Sequence, residues 1–398
     1  MNLLAHLLSR HASLLLLGVF SACYFAAMII ARKILAPDDF YFWNSFVTLM
    51  AMGFTFCFFG TEQLFLRFSV VSDGRVSINL WTLILMLGTL VLFVVFLAVL
   101  SERYFFQLGT FVVYLVLGVC VGIFVFVYNF LRMLKAFSIS QLAANGWKFT
   151  TLIAVVLAPL GHAPWVILTG LAAASGPALF LFLQNRHRLN ITRDAIPDDW
   201  KALFLGFLVS LLVLMLLNNA DRLIMSHYGS EMLFSEYVYL VTLLTMPFSL
   251  LSNYFGFKET AFLKQSYART AFVKKSLSVA LLSGGLYVPW FLLVYSLQGL
   301  LELSVQFEYL FPCLVLVTCR CVYALHSALF GLQGESAHIH LANLMTFVAI
   351  GTAVAVILLI GVNILHLLFL LAAFWCVRIA IYAYFTSHIK EYDHSYAV

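Results

Sequence analysis

The chain has 398 residues, of which 64% are hydrophobic and 10% are charged, and its formal net charge is +5. A water-soluble domain cannot bury that much apolar surface, and the mean hydropathy is +1.02. The composition therefore excludes an ordinary soluble enzyme, indicates a polytopic membrane protein and gives no sign of nucleic-acid binding.

Apolar runs long enough to cross a bilayer, about 20 residues each, occur twelve times along the chain. The first run continues into Arg32 and Lys33 and more runs follow, so we interpret it as an uncleaved signal-anchor. The connecting loops are too short for a catalytic domain. The predicted spans are 11–31, 40–61, 79–100, 104–130, 139–160, 163–184, 201–220, 236–257, 277–298, 308–330, 339–361 and 364–386.

The lysines and arginines are distributed unequally between the two sides of the membrane. If the N-terminus is cytoplasmic, 15 of the 22 basic residues face the cytoplasm, four face outward and three lie within spans. The positive-inside rule therefore predicts cytoplasmic N- and C-termini. The three basic residues within spans are Lys148, Arg320 and Arg378.

Two motifs recur at about half the chain length. The stretch from Glu62 to Ser69 matches the stretch from Glu259 at a shift of 197 residues, and Asn145 matches Asn343 at a shift of 198. Duplication is typical of transporters. We therefore expect an all-α polytopic membrane protein with about 12 transmembrane helices in two pseudo-symmetric six-helix lobes, 1–190 and 191–398, related as a parallel repeat.

Charges inside spans are the first candidates for function, because a charge at the centre of a bilayer is costly. Lys148 continues a helical stripe with Ser138, Gln141 and Asn145, which predicts either a cavity lining or a polar seam between helices. Arg320 and Arg378 can equally pair with an acid or contact a substrate. A cavity of this charge suits phosphate groups. The candidate cavity residues are Arg32, Gln141, Asn145, Lys148, Arg222, Arg320 and Arg378.

The repeated acid and base pairs lie where spans two and eight reach the cytoplasm. Glu62 with Arg67, and Glu259 with Lys264, are candidates for an inner gate. The alternative is that each cation lies at the interface with no gating role.

The chain lacks the clusters that an enzyme needs. Asp38 and Asp39 have no acidic or histidine partners on the same side, so we expect them to cap the helix that follows Pro37. The cysteines lie in apolar runs and read as buried hydrophobes. We therefore expect no catalytic residue, no metal site and no cofactor.

Three stretches of the chain resemble a known family. The sequence from Ala31 to Tyr41 is similar to the "AR-x-LGPEEFG-x-Y" stretch of bacterial polysaccharide flippases, which are Wzx-like O-antigen translocases of the multidrug/oligosaccharidyl-lipid/polysaccharide exporter superfamily. The sequence from Asn219 to Ile224 resembles their "DR-x-x-(I/L)" stretch, and Leu131-Arg132 resembles a turn after their fourth helix. The chain departs from the family where its glycine after the acidic pair is replaced by Phe40 and Tyr41, and where its glycine before the proline is Ala36.

The resemblance implies a specific function. Such proteins move undecaprenyl-diphosphate-linked oligosaccharide repeat units across the bacterial inner membrane for lipopolysaccharide and other surface polysaccharides. They would do so by alternating access through a cationic central cavity, with H⁺ or Na⁺ as a coupling ion. The implied partners are the lipid-linked oligosaccharide, membrane lipids, a polysaccharide polymerase and a chain-length regulator.

Two other function classes remain open. A small-molecule or multidrug exporter is the first, although an exporter of cationic drugs is expected to carry a mid-span carboxylate and none is clear. The major facilitator type is disfavoured by the loop 67–78, which lacks that superfamily's glycine and Asp-Arg pattern. A membrane glycosyltransferase or polymerase is the second, and it would need Asp38 or Asp39.

Overall fold

The computed structural model describes residues 2–102, 111–193, 200–263 and 266–393. These residues are almost entirely helical. Eleven helical segments are long and apolar enough to cross a membrane. A bent pair of helices makes a twelfth span if the two are counted together. The prediction of an all-α polytopic membrane protein is therefore confirmed.

The helices follow one another through the chain with short connections. Those up to residue 185 are α1 (Asn2–Ile34), α2 (Pro37–Phe56), α3 (Thr61–Phe68), α4 (Leu80–Leu100), α5 (Phe111–Met133), α6 (Phe137–Asn145), α7 (Trp147–Leu157) and α8 (Ala163–Asn185). The later ones are α9 (Trp200–Tyr228), α10 (Glu231–Leu263), α11 (Arg269–Ser296), α12 (Leu310–Gln333), α13 (Ser336–Ile360) and α14 (Ile364–Thr386).

The chain forms two compact units, Met1–Met215 and Leu216–Val398. The division falls inside α9. In the first unit, α7 packs against α1 and α8, and α5 packs against α6 and α8. In the second unit, α12 packs against α10, α11 and α14. The pseudo-symmetry of two lobes, and a boundary near residue 190, stay predictions.

The second predicted span is broken. Phe59 and Gly60 have positive φ angles of 49° and 93°. The axes of α2 and α3 therefore diverge by 41°. A Cβ atom on Gly60 would lie 2.9 Å from the backbone nitrogen of Leu208, so both the backbone angle and the close approach favour glycine here.

Two helix ends differ from the sequence-based expectation. Asp38 and Asp39 lie within the first turn of α2, after Ala36, which is the N-cap residue and makes no side-chain cap bond. The prediction that the aspartates cap this helix was therefore wrong, although acids in a first turn favour the positive helix end. The seventh span does not end at residue 220, because α9 continues to Tyr228.

Each unit also contains a small sheet. In the first unit, β1 (Val70–Ser72) and β2 (Arg75–Asn79) form a hairpin, and β3 (Leu189–Thr192) adds to β2 in parallel. In the second unit, β4 (Ser266–Tyr267) pairs with β5 (Tyr392–Asp393). In the first unit, a strand that follows the second predicted span pairs with a strand that follows the sixth. In the second unit, a strand that follows the eighth predicted span pairs with a strand that follows the twelfth.

Candidate functional site

The first unit holds a buried amine within a line of amide groups. Lys148 is 7% exposed, and its ammonium donates to Asn145 Oδ1 at 2.5 Å. Asn145 Nδ2 in turn donates to Gln141 Oε1 at 2.8 Å. The predicted spacing therefore does bring these three side chains together, across the junction of α6 and α7 at Gly146.

Aromatic rings surround the start of α7. The ring of Trp147 lies 5.8 Å from Tyr24 and 6.0 Å from Phe54, and the Lys148 ammonium lies 6.0 Å from the Trp147 ring. An ammonium carries three N–H donors. Asn145 Oδ1 is its one hydrogen-bond acceptor among the described residues. Lys148 therefore retains donor capacity for an additional oxygen ligand.

Arg378 on α14 lies in a cage of neutral groups that accept hydrogen bonds from its two terminal nitrogens. Its side chain is fully buried. The guanidinium donates to Thr346 Oγ1 at 2.8 Å, to Tyr382 OH at 2.6 Å and to Asn343 Oδ1 at 3.2 Å. It also lies 4.2 Å from the ring centre of Tyr382 and 5.8 Å from that of Tyr323. This arrangement ties α14 to α13 and marks Arg378 as a packing element of the second unit.

Arg320 on α12 has sparser surroundings. Its guanidinium donates to Asn218 Oδ1 at 2.9 Å and lies 5.2 Å from the ring centre of Trp375. Asn218 is its one hydrogen-bond acceptor among the described residues. Since a guanidinium has five N–H donors, Arg320 can still accommodate a bidentate oxyanion.

A buried carboxylate occurs on α9, in the same unit as Arg320. Asp221 on α9 is 1% exposed and accepts a hydrogen bond from Tyr237 OH at 2.7 Å. It also interacts electrostatically with Arg320. The next residue, Arg222, donates to Thr242 Oγ1 at 3.4 Å. Sequence reasoning missed Asp221 and placed Arg222 in an external loop, because the apolar run ends near residue 220. The helix continues past residue 220 because neither glycine nor proline occurs between that residue and Gly229.

The predicted gate residues occupy different environments. Glu62 is buried and Arg67 is exposed, and the structure describes no ion pair between them. Glu259 is also buried, and it forms an ion pair with Lys275 of α11. Lys264, the predicted partner of Glu259, lies outside the described residues. The gating role stays a prediction.

One cavity candidate, Arg32, and one pair of repeated asparagines remain to be placed. Arg32, in the last turn of α1, lies 5.3 Å from the ring centre of Phe40. The matched residues Asn145 and Asn343 each accept a hydrogen bond from an internal base, Lys148 and Arg378 respectively. The sequence indicated the asparagines and Arg378 separately, but it did not predict the contact of Arg378 with Asn343, because Arg378 belongs to the following helix.

Metal ligands and known relatives add nothing to this arrangement. No group of three or more His, Cys, Asp and Glu side chains in the described ranges could hold a metal ion. Comparison with known proteins finds no matching family model, no similar curated protein and no similar solved structure.

Proposed function

We propose that this protein is a flippase, which moves undecaprenyl-diphosphate-linked oligosaccharide repeat units across the bacterial inner membrane. The observation that carries the proposal is the pair of under-saturated bases inside spans. Lys148 and Arg320 each have a single hydrogen-bond acceptor among the described residues, and both acceptors are neutral amides. A buried base with free donors is an electrostatic site for an anion.

Each of the two bases, taken by itself within its own unit, suits phosphate oxygens. Arg320 offers a planar fork for two phosphate oxygens, and Lys148 offers a point charge. Arg378 is left out of the binding set, because the terminal nitrogens that would form a fork for phosphate already donate to groups of the second unit. The polar chain from Gln141 to Lys148 suits sugar hydroxyl groups, which need both donors and acceptors.

Internal duplication supports alternating access as the mechanism. The matched asparagines, the matched buried glutamates and the strand pair in each unit are what a parallel repeat predicts. The basic residues would then be exposed to each leaflet in turn. The sequence resemblance adds the lipid-linked oligosaccharide, the inner membrane and a downstream polymerase with its chain-length regulator. H⁺ or Na⁺ is the proposed coupling ion.

The test is export by single variants. Lys148→Ala and Arg320→Ala are each expected to reduce surface polysaccharide at least tenfold while the protein stays in the membrane. Lys274→Ala is the matched control, since Lys274 is an exposed cation that belongs to neither the candidate cavity nor the candidate gate. Full export by both Lys148→Ala and Arg320→Ala, at normal protein levels, would contradict the proposal.

A second candidate function rests on Asp221. A carboxylate buried in α9 beside Arg320 is a feature expected of an ion-coupled small-molecule exporter. That function predicts that Asp221→Asn abolishes resistance to a cationic drug and leaves surface polysaccharide intact. Loss of polysaccharide without a change in drug resistance favours the flippase.

A further inference from the structure

The sheet of the first unit lies at a membrane surface, because its strands directly adjoin two membrane-spanning segments. The span that begins with α4 follows β2 directly, and the span that contains α8 runs to Arg188, next to β3. Asn79 caps α4 by accepting a hydrogen bond from the backbone N–H of Trp81 at 2.8 Å, and Trp81 is 61% exposed. An exposed tryptophan at the start of a span is typical of the lipid–water interface.

The central strand β2 has one apolar face and one polar face. Side chains alternate along a strand, and residues paired across strands share a face. Val76 and Ile78 of β2 are 0% and 2% exposed, and β2 packs against α3 and α4. Ser77 lies on the opposite face, where the Asn190 amide donates to its hydroxyl at 3.4 Å. The polar face is therefore turned away from the packed helices.

Basic side chains border this polar face without comparable acids. Val76 pairs with Leu189, so Arg75 and Arg188 each directly precede a paired position on neighbouring strands. Both are exposed. The segments 67–79 and 185–193 contain five arginines and a single acid, Asp73.

The corresponding strand pair of the second unit is more nearly balanced. There the Glu391 carboxylate accepts a hydrogen bond from the backbone N–H of Arg269 at 2.7 Å, and Lys390 lies beside it in the chain. Among the described residues of the two strand pairs, the excess of basic residues is therefore larger in the first unit, and Asp194, Asp198 and Asp199 follow its last strand in the sequence.

We propose that this sheet is a binding site for the phosphate group of anionic phospholipids, with Arg75 and Arg188 as the contacts to the headgroup. Arg75 lies in β2, Arg188 ends the short 3-10 helix that leads into β3, and the parallel strands that they adjoin lie about 4.8 Å apart, so two guanidinium groups can contact one phosphodiester. Because the site lies at the lipid–water interface, it does not suit ligands that are confined to bulk water or to the centre of the bilayer. The proposal does not depend on the flippase function.

The experiment measures thermal unfolding of the full chain in a neutral detergent. Short-chain phosphatidylglycerol is titrated, with short-chain phosphatidylcholine as the reference lipid, and the rise in Tm gives an apparent Kd. We expect phosphatidylglycerol to stabilise the protein more than phosphatidylcholine. The double variant Arg75→Gln/Arg188→Gln should weaken phosphatidylglycerol binding by about fivefold per arginine, hence roughly 25-fold.

Matched variants separate a specific site from net charge and from misfolding. Arg269→Gln/Lys390→Gln removes the same charge from exposed positions in the second unit, and it should retain the lipid preference. Arg75→Lys/Arg188→Lys keeps the charge and should retain most of the affinity. Equal loss in both glutamine variants, or an unchanged preference in Arg75→Gln/Arg188→Gln, would overturn the proposal.

A last arm identifies the source of the phosphate. Glycerophosphoglycerol carries the same phosphodiester headgroup without acyl chains. It should produce no Arg75-dependent shift at concentrations where phosphatidylglycerol saturates. An equal shift would show that the sheet binds a soluble phosphate compound, and the lipid site would be refuted.

Discussion

Arg378→Met is the sharpest test of how the second unit is held together. Methionine fills much of the arginine volume but donates no hydrogen bond, so the amide oxygen of Asn343 loses its charged donor in a fully buried place. The hydroxyl groups of Thr346 and Tyr382 can rotate toward other acceptors, whereas that oxygen cannot. We expect a loss of about 1–3 kcal/mol in the free energy of unfolding, because one stranded buried acceptor costs about that much.

The assay is equilibrium unfolding in mixed micelles, with a double-mutant cycle as its internal control. Arg378→Met/Asn343→Leu removes the donor and the amide acceptor together, so it should be more stable than Arg378→Met by at least about 1 kcal/mol. Arg320→Met is a second control and should be milder, since Arg320 has one acceptor among the described residues. If Arg378→Met is as stable as the wild type, or if the double variant gains nothing, the assignment of Arg378 to packing is refuted.

Three further predictions concern other parts of the chain. Gly60→Ala should destabilise the first unit by about 1–3 kcal/mol in the same unfolding assay, because alanine is strained at a positive φ; an unchanged midpoint would contradict the close contact with Leu208. Lys275→Met leaves Glu259 buried without its ion-pair partner, so thermal stability should fall, and Lys275→Met/Glu259→Gln should recover most of the loss; an equal loss in the double variant would argue against this pair. Asp38→Asn/Asp39→Asn should leave surface polysaccharide unchanged, and its loss would favour an enzyme.

The sequence was sufficient for the class of fold and for one polar cluster. The line from Gln141 to Lys148 lies within one span, where helical spacing alone brings side chains together. Lys148 is therefore buried against the partner that its position in the chain predicted.

Features that join distant segments were not predictable in the same way. Arg378 contacts residues on α13, and the Glu259 carboxylate contacts Lys275 on α11, so both depend on helix packing. Asp221 was overlooked because hydropathy falls at the end of the apolar run, although the helix continues. The strand pairs are too short to produce an alternating pattern, and β2 with β3 joins segments more than 100 residues apart.

The most direct test of the flippase proposal is the leaflet location of the lipid-linked repeat unit in a deletion strain of the source organism. The account predicts that polymer is lost and that intact repeat units accumulate on the cytoplasmic leaflet, with wild-type protein but not Lys148→Ala or Arg320→Ala restoring transfer. Unpolymerised repeat units on the periplasmic leaflet would indicate a polymerase instead. Normal surface polysaccharide in the deletion strain would contradict the account.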